Sequence, residues 1–284
     1  MDPIIKASYQ ACTKIARNRA RNFYYGFRVL PEEKRLAICA MYAFMRYCDD
    51  ISDGDVAGFT KEDGLRQWRS ALHATMTGDY SGSPILPAFH DTVQRFGIPA
   101  EYFDELIDGA EMDLSVNRYA TFDELYQYCY KVASVVGLVC IHIFGFRDDG
   151  AKLYAEHLGI AFQLTNILRD IKEDAGRGRI YIPLEDLARV GYSEGEFLKP
   201  KLDDRFRDLM RQQVDRAKSY YEMGAPLIDL IDPKSRGGLM AMIGIYSAIL
   251  RKIEERDFDV LSARVRLSAK EKLGIAARAL LCAR

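Results

Sequence analysis

Apolar residues recur with helical spacing along almost the whole chain. The pattern i, i+3, i+4 continues through residues 36–47, which follow Pro31, and through residues 153–168 and 240–250. Proline favours the first turn of a helix, so Pro31 marks a helix start. No alternating run is long enough for a strand, and the strongest break is Thr77–Pro87. We therefore predict an all-α fold of roughly ten helices, forming one domain over residues 1–284.

Composition narrows the class of protein only slightly. The chain has 284 residues, 49% of them apolar and 29% charged, with a net charge of -1, so we expect no nucleic-acid partner. Six cysteines without a CxxC pair predict buried free thiols in a reducing cytoplasm. The N-terminal stretch MDPIIKASYQ lacks the basic start and apolar stretch of a signal peptide, so we expect none. The longest uncharged run, Val132–Phe146, is shorter than the ~20 residues of a membrane span. A peripheral membrane contact stays open.

The pattern Asp-x-x-x-Asp occurs twice, as Asp49–Asp53 and as Asp170–Asp174. Residues i and i+4 share one helix face, where two like charges cost an isolated helix ~0.2–0.5 kcal/mol. With 41 acidic residues in the chain, about six such acidic pairs would occur by chance. One pair alone is therefore weak evidence for a site.

The surroundings of the two pairs strengthen the case for a metal site. Each pair ends a long apolar segment, and an arginine, Arg46 or Arg169, lies close to it. Asn166 extends the second pair into a ladder of oxygen ligands spaced by four residues. Mg²⁺ typically takes one or two carboxylates plus substrate phosphates. Two such helices facing each other would hold a diphosphate through Mg²⁺, with Mn²⁺ as an alternative, while arginines neutralise the remaining oxygens.

The chain resembles the squalene/phytoene synthase family, which joins two isoprenoid diphosphates head to head. The stretches that carry this resemblance span Phe23 to about Leu267 and are FYYGFRVLP, MYAFMRYCDDISD, YCYKVASVVG, QLTNILRDIKEDAGRGRIYIP and IYSAILRKIEERDFDVLSARVRL. The resemblance implies an all-α isoprenoid-synthase helical bundle with a central cavity. It also implies isoprenoid diphosphates as substrates, with enzymes of the same lipid pathway as further candidate partners.

The resemblance assigns roles to individual residues. The metal ligands it implies are Asp49, Asp53, Asp170 and Asp174, with Asn166 assisting. The substrate-binding residues it implies are Phe23, Arg21, Tyr42, Arg46, Gln163, Arg169, Tyr181, Tyr246 and Arg264. Tyr128 is implied as a phenol that shuttles a proton or steadies a cation. One departure concerns Ala20-Arg21-Asn22, where many relatives carry serines.

The substrate is the least determined part of this hypothesis. We favour farnesyl diphosphate, converted to presqualene diphosphate or on to squalene, with phytoene synthesis from geranylgeranyl diphosphate as the alternative. Whether NADPH reduces the intermediate stays open. A non-catalytic relative is disfavoured because both aspartate pairs are intact, and a terpene cyclase because the Ser/Thr-and-Glu ligand pattern is missing. For DGAEMDL (Asp108–Leu114) we expect helix packing around Gly109 rather than a function.

Overall fold

The computed structural model describes residues 2–20, 22–54 and 60–283, without the side chain of Asp53. The predicted all-α class is confirmed: the chain is 75% helical, and within the described residues only an isolated bridge joins Phe146 to Ile231. The helices are α1 (Pro3–Arg19), α2 (Phe23–Phe27), α3 (Glu32–Asp53), α4 (Lys61–Met76), α5 (Leu86–Phe96), α6 (Glu101–Ser115), α7 (Phe122–Cys129), α8 (Val135–Phe144), α9 (Ala151–Gly176), α10 (Leu184–Arg189), α11 (Glu194–Phe197), α12 (Asp204–Gly224), α13 (Leu227–Leu230), α14 (Pro233–Glu255) and α15 (Ala269–Cys282).

The long helices begin where local chemistry predicts them. α3 starts directly after Pro31, as the sequence indicates. Asp232 caps α14 by accepting a hydrogen bond from the Lys234 amide at 2.9 Å, and Pro233 occupies the first turn. The roughly ten predicted helices are fewer than those observed. The difference comes mainly from pieces of four to six residues, α2, α10, α11 and α13, which are too short to show a helical period.

A π-helical turn, Tyr130–Ser134, joins α7 to α8 in the middle of the bundle. Two glycines let neighbouring helices approach this turn. A Cβ on Gly109 of α6 would lie 2.8 Å from Cγ1 of Val132, and one on Gly159 of α9 would overlap the backbone of Ser134. The expectation of close helix packing around Gly109 agrees with this geometry. The π turn lies between α6 and α9, and Val132 and Ala133 form part of a cavity wall.

The apolar residues form two large clusters that meet at the centre of the bundle. One is built mainly from α1, α3, α5, α6 and α8, and the other mainly from α7, α9, α12 and α14. Phe23 and Phe162 pack against both clusters. Of the six cysteines, four are buried free thiols as predicted, namely Cys12, Cys39, Cys48 and Cys129. Cys140 is only partly buried, and Cys282 is exposed.

The continuous helical stretch Phe122–Phe144 is long and apolar enough to cross a membrane by length and composition alone. Half of its apolar window is buried inside the protein. Its residues Val132, Val136 and Cys140 line the internal cavity, and Val135 and Val139 are fully buried. Burial in the helical core therefore accounts for the apolar character of this stretch.

Candidate active site

A cavity of about 480 Å³ runs between α3, α8, α9 and α14. Along α3 its wall extends from Ile38 to Ser52, which corresponds to about 21 Å at the rise of an α-helix. Polar side chains line the end where α3 and α9 terminate, and apolar side chains line the rest. The polar lining residues are Arg46, Asp49, Ser52, Asp113, Tyr128, Gln163, Asn166, Arg169 and Asp170. The cavity thus combines a charged mouth with a long apolar interior.

Asp170 of the second aspartate pair lines the cavity and is paired with arginines, whereas Asp174 is not among the residues that line the cavity. Arg169 donates two hydrogen bonds to Asp170, from Nε to Oδ1 at 2.8 Å and from Nη2 to Oδ2 at 2.6 Å. Arg264 donates from Nη2 to the same Oδ2 at 2.7 Å and contacts Glu173 at 2.9 Å. Arg264 lines a neighbouring cleft that shares Arg169 and Asp170 with the cavity. The loop that carries Arg264 therefore extends the charged mouth.

Asn166 and Asp174 carry two further oxygen groups of α9. The Asn166 side-chain amide donates to Gln163 at 3.3 Å, while its buried Oδ1 has no hydrogen-bond partner. Burial, and then the negative charge of Asp170, raises the pKa of Asp174 to about 7. Both observations describe oxygen atoms that a cation would stabilise. The ladder Asn166–Asp170–Asp174 therefore fits a hard divalent ion.

The first aspartate pair ends α3 in a more exposed setting. Asp49 lies 3.6 Å from Arg46 Nη1, and Asp50 is paired both with Arg46 and, at 2.7 Å, with Arg19. The side chain of Asp53 and the whole of Arg21 lie outside the described residues, so their predicted roles stay predictions. Among the described side chains, no group of three or more His, Cys, Asp or Glu could hold a metal ion alone. A metal ion at this mouth would need ligands from both helices and from a substrate.

Three aromatic residues form a stack beside the charged mouth. Phe23 packs face to face on Tyr246, with ring centroids 4.8 Å apart, and Phe162 lies 4.9 Å from the same Tyr246 ring. Phe23, Phe162 and the predicted Tyr42 and Gln163 line the cavity. Tyr246 is buried behind them, and burial raises its pKa to about 12. Tyr246 thus supports the wall from behind.

Tyr128 and Tyr181 meet at one carboxylate. Tyr128 lines the cavity and donates to Asp113 Oδ2 at 3.1 Å. Tyr181 lies behind the wall and donates to Asp113 Oδ1 at 2.8 Å. The ring of Tyr119, fully buried, lies 5.4 Å from that of Tyr128 and 6.0 Å from that of Tyr181. Asp113 lies within DGAEMDL, a stretch for which the sequence predicts helix packing and no function.

Comparison with known proteins identifies the chain. The family model described as "Squalene/phytoene synthase" matches residues 16–271. The chain belongs to the squalene/phytoene synthase family. A phytoene synthase from Mycobacterium tuberculosis is 42% identical over 279 residues, covering 97% of this chain and 91% of that protein. A phytoene synthase from Arthrospira platensis is 39% identical over 282 residues, covering 94% and 90%.

Solved structures of the squalene/phytoene synthase family have the same fold. A dehydrosqualene synthase crystallised with a ligand superimposes with a TM-score of 0.89 at 27% identity, covering 97% of this chain and 96% of that one. A squalene synthase from Alicyclobacillus acidocaldarius gives 0.84 at 26% identity, covering 91% and 97%. The predicted family and isoprenoid-synthase fold are confirmed. The protein is thus a head-to-head prenyltransferase of isoprenoid biosynthesis that takes isoprenyl diphosphates.

Proposed function

We propose that this protein condenses two molecules of geranylgeranyl diphosphate head to head and converts the product to phytoene. This choice is supported most directly by the relatives of the protein, which are named as phytoene synthases. Proteins about 40% identical to it over nearly their whole length are phytoene synthases. The sequence alone favours farnesyl diphosphate, whereas the relatives favour the alternative, phytoene synthesis from geranylgeranyl diphosphate. Both substrates share the diphosphate head and differ by one isoprene unit.

The charged mouth has the chemistry to hold the diphosphate groups. Arg46 and Arg169 line the mouth directly. Arg264 contacts the carboxylate of Asp170, which also lines the mouth. A guanidinium can bind phosphate oxygens through two parallel hydrogen bonds. When a diphosphate enters, these arginines can turn from Asp170 and Asp50 towards its oxygens. The arginines thereby stabilise negative charge as the allylic carbon–oxygen bond breaks.

We propose Mg²⁺ as the ion that balances the aspartates. Asp49 and Asp53 from α3 and Asn166, Asp170 and Asp174 from α9 would hold it. The bound ion would neutralise the departing diphosphate. The partnerless Oδ1 of Asn166 and the raised pKa of Asp174 support the fit on the α9 side.

The apolar part of the cavity orients the hydrocarbon chains and excludes water. Met41, Phe144, Leu227, Leu239 and Met242 line the end away from the aspartates. A carbocation formed at the mouth would react with water, so a dry wall directs it towards the double bond of the second substrate. The length of the α3 wall, about 21 Å, allows extended chains to lie along the helices.

The proposal is tested by product analysis. The purified protein is incubated with Mg²⁺ and either geranylgeranyl or farnesyl diphosphate, each with and without NADPH, and the lipids are identified by mass spectrometry. We expect phytoene from geranylgeranyl diphosphate, independent of NADPH. Squalene or presqualene diphosphate as the preferred product would overturn the substrate choice. Absence of product from both substrates would overturn the proposed activity.

A matched pair of variants tests which residues limit chain length. Leu227 and Leu230 lie in the same short helix α13, but only Leu227 lines the cavity. Leu227→Phe should lower the rate with geranylgeranyl diphosphate more than that with farnesyl diphosphate, because the larger ring occupies the far end. Leu230→Phe is the control for disturbance of the helix. Equal losses of rate with both substrates for Leu227→Phe would show that the far end of the cavity does not determine which substrate chain length is accepted.

A further inference from the structure

Asp113 joins the cavity to a second layer of buried tyrosines. Its carboxylate accepts one hydrogen bond from Tyr128 and one from Tyr181, at 3.1 and 2.8 Å. Arg179 donates from Nη2 to the backbone carbonyl of Asp113 at 2.9 Å, which fixes the end of α6 beside Tyr181. Tyr128 and Asp113 both line the cavity. A carboxylate is therefore one hydrogen bond away from a phenol that faces the substrate space.

The proposed reaction must remove two protons from carbon. The first leaves when the captured cation closes to a cyclopropane, and the second leaves when the rearranged cation becomes the central double bond of phytoene. Both hydrogens come from the carbon atoms that had carried diphosphate. Each step breaks a C–H bond, and its electron pair becomes a carbon–carbon bond. No oxidant or reductant is needed, but a proton acceptor must lie close to the cation.

Tyr128 cannot act as this acceptor by itself. The phenol is buried, with 3% of its surface exposed. Burial, and then the negative charge of Asp113, keeps the pKa of Tyr128 well above its usual value, so the phenol retains its proton. Its oxygen can take a proton from a carbocation only if its own proton moves on at the same time. The atom placed to receive that proton is Asp113 Oδ2.

We propose that Asp113 accepts, through Tyr128, a proton that the carbocation loses. A C–H bond at the cation breaks, its electrons form the new carbon–carbon bond, and the proton binds to the Tyr128 oxygen. The Tyr128 O–H bond breaks as an O–H bond forms on Asp113. Tyr181 and Arg179 hold the Asp113 side chain and backbone in place. This inference rests on the proposed function and assigns a proton-accepting partner to the same site.

The test uses Asp113→Asn and substrate deuterated at the carbon that bears the diphosphate. The variant keeps the size of the side chain but cannot take up a proton. We expect turnover to fall by about 10²-fold or more, as for loss of a general base. Proton removal should then limit the rate, so deuteration should slow the variant more than the wild type. Water should capture more of the cation, giving prenyl alcohols. An unchanged isotope effect and product pattern would overturn the proposal.

Asp108→Asn is the matched control, because it removes another paired aspartate from α6. Asp108 contacts Arg69 and Lys131 at 2.9 and 2.8 Å, and the described lining of the cavity does not include it. Its isotope effect should equal that of the wild type. The Mg²⁺ concentration needed for half-maximal rate should be the same in wild type and Asp113→Asn. A large increase in that concentration would mean that Asp113 holds metal, which contradicts the proposal.

Two more variants separate a chemical role from a structural one. Tyr128→Phe should reproduce the isotope effect and the alcohols, because it removes the connecting hydroxyl. Asp113→Glu should recover part of the rate, because it restores a carboxylate. The proposal is contradicted if Tyr128→Phe shows the isotope effect and the alcohols while Asp113→Asn shows neither at unchanged thermal stability. Tyr128 would then act without Asp113. If wild-type protein forms no phytoene, the proposed function fails first, and that failure is visible before any variant is compared.

Discussion

The side chain of Asp170 on α9 is 17% exposed, whereas those of Asp49 and Asp50 on α3 are 61% and 48% exposed. Both helices present aspartates at the same spacing, yet their surroundings differ. Asp170 is held by Arg169, itself 12% exposed, and by Arg264. The α9 side is thus preorganised before any ligand binds, while the α3 side is solvated. Since charges interact more strongly away from water, the α9 side should contribute more to substrate and metal binding.

The largest effect should follow substitution of the buried aspartate. Asp170→Asn removes a charge and leaves Arg169 and Arg264 without their shared partner. We expect product formation to fall by about 10³-fold, as for loss of a group that stabilises developing charge. The measurement is the initial rate with geranylgeranyl diphosphate and saturating Mg²⁺. Asp208→Asn, at an exposed ion pair with Arg211, is the control. If Asp170→Asn lowers the initial rate by less than tenfold, the α9 side does not contribute more than the α3 side to substrate and metal binding.

A smaller effect of a different kind is expected on α3. Asp49→Asn should lower the rate by about 10²-fold at low Mg²⁺, because one proposed Mg²⁺ ligand in a solvated setting is lost. Raising the Mg²⁺ concentration should recover much of this rate, since the remaining ligands can still be saturated. The same titration should not rescue Asp170→Asn. Equal rescue of both variants would show that the two helices hold metal in equivalent ways.

The sequence predicts the helices and the aspartate pairs, because both depend on the spacing of residues that are close together in the chain. It does not predict the contact between Arg264 and Asp170, which lie 94 positions apart and meet only through packing. Asp113 was missed for the same reason. Its importance comes from the hydroxyls of Tyr128 and Tyr181 on other parts of the chain. Sequence alone also could not place Tyr246 behind the cavity wall rather than in it.

Arg264 tests whether the preorganised side binds substrate directly. Arg264→Gln should raise the KM for the diphosphate by about tenfold, because one charge-assisted contact with phosphate is lost. The value of kcat should change less, since Arg169 still neutralises the mouth. Arg251→Gln, on the exposed surface of α14, is the control. An unchanged KM for Arg264→Gln would mean that this arginine only balances Asp170.

The last and smallest effect concerns the stability of the metal-free protein. Burial, then the charge of Asp170, raises the pKa of Asp174 from 3.8 to about 7. Between these pH values the folded state binds a proton that the unfolded state has released. The contribution of Asp174 to the free energy of unfolding should therefore be fully present below about pH 4 and should be lost as the pH rises through about 7.

Asp174→Asn should remove this dependence, because the amide does not titrate. Urea unfolding in the presence of a chelator should show the variant equal to the wild type near pH 4. At pH 8 the variant should be more stable by up to about 4 kcal/mol, since each of the roughly three pKa units between 3.8 and about 7 corresponds to ~1.4 kcal/mol. Mg²⁺ should then stabilise the wild type at pH 8 but stabilise the variant much less, since the variant lacks one of the proposed Mg²⁺ ligands. A variant that keeps the wild-type pH dependence would show that Asp174 is solvated like the aspartates of α3.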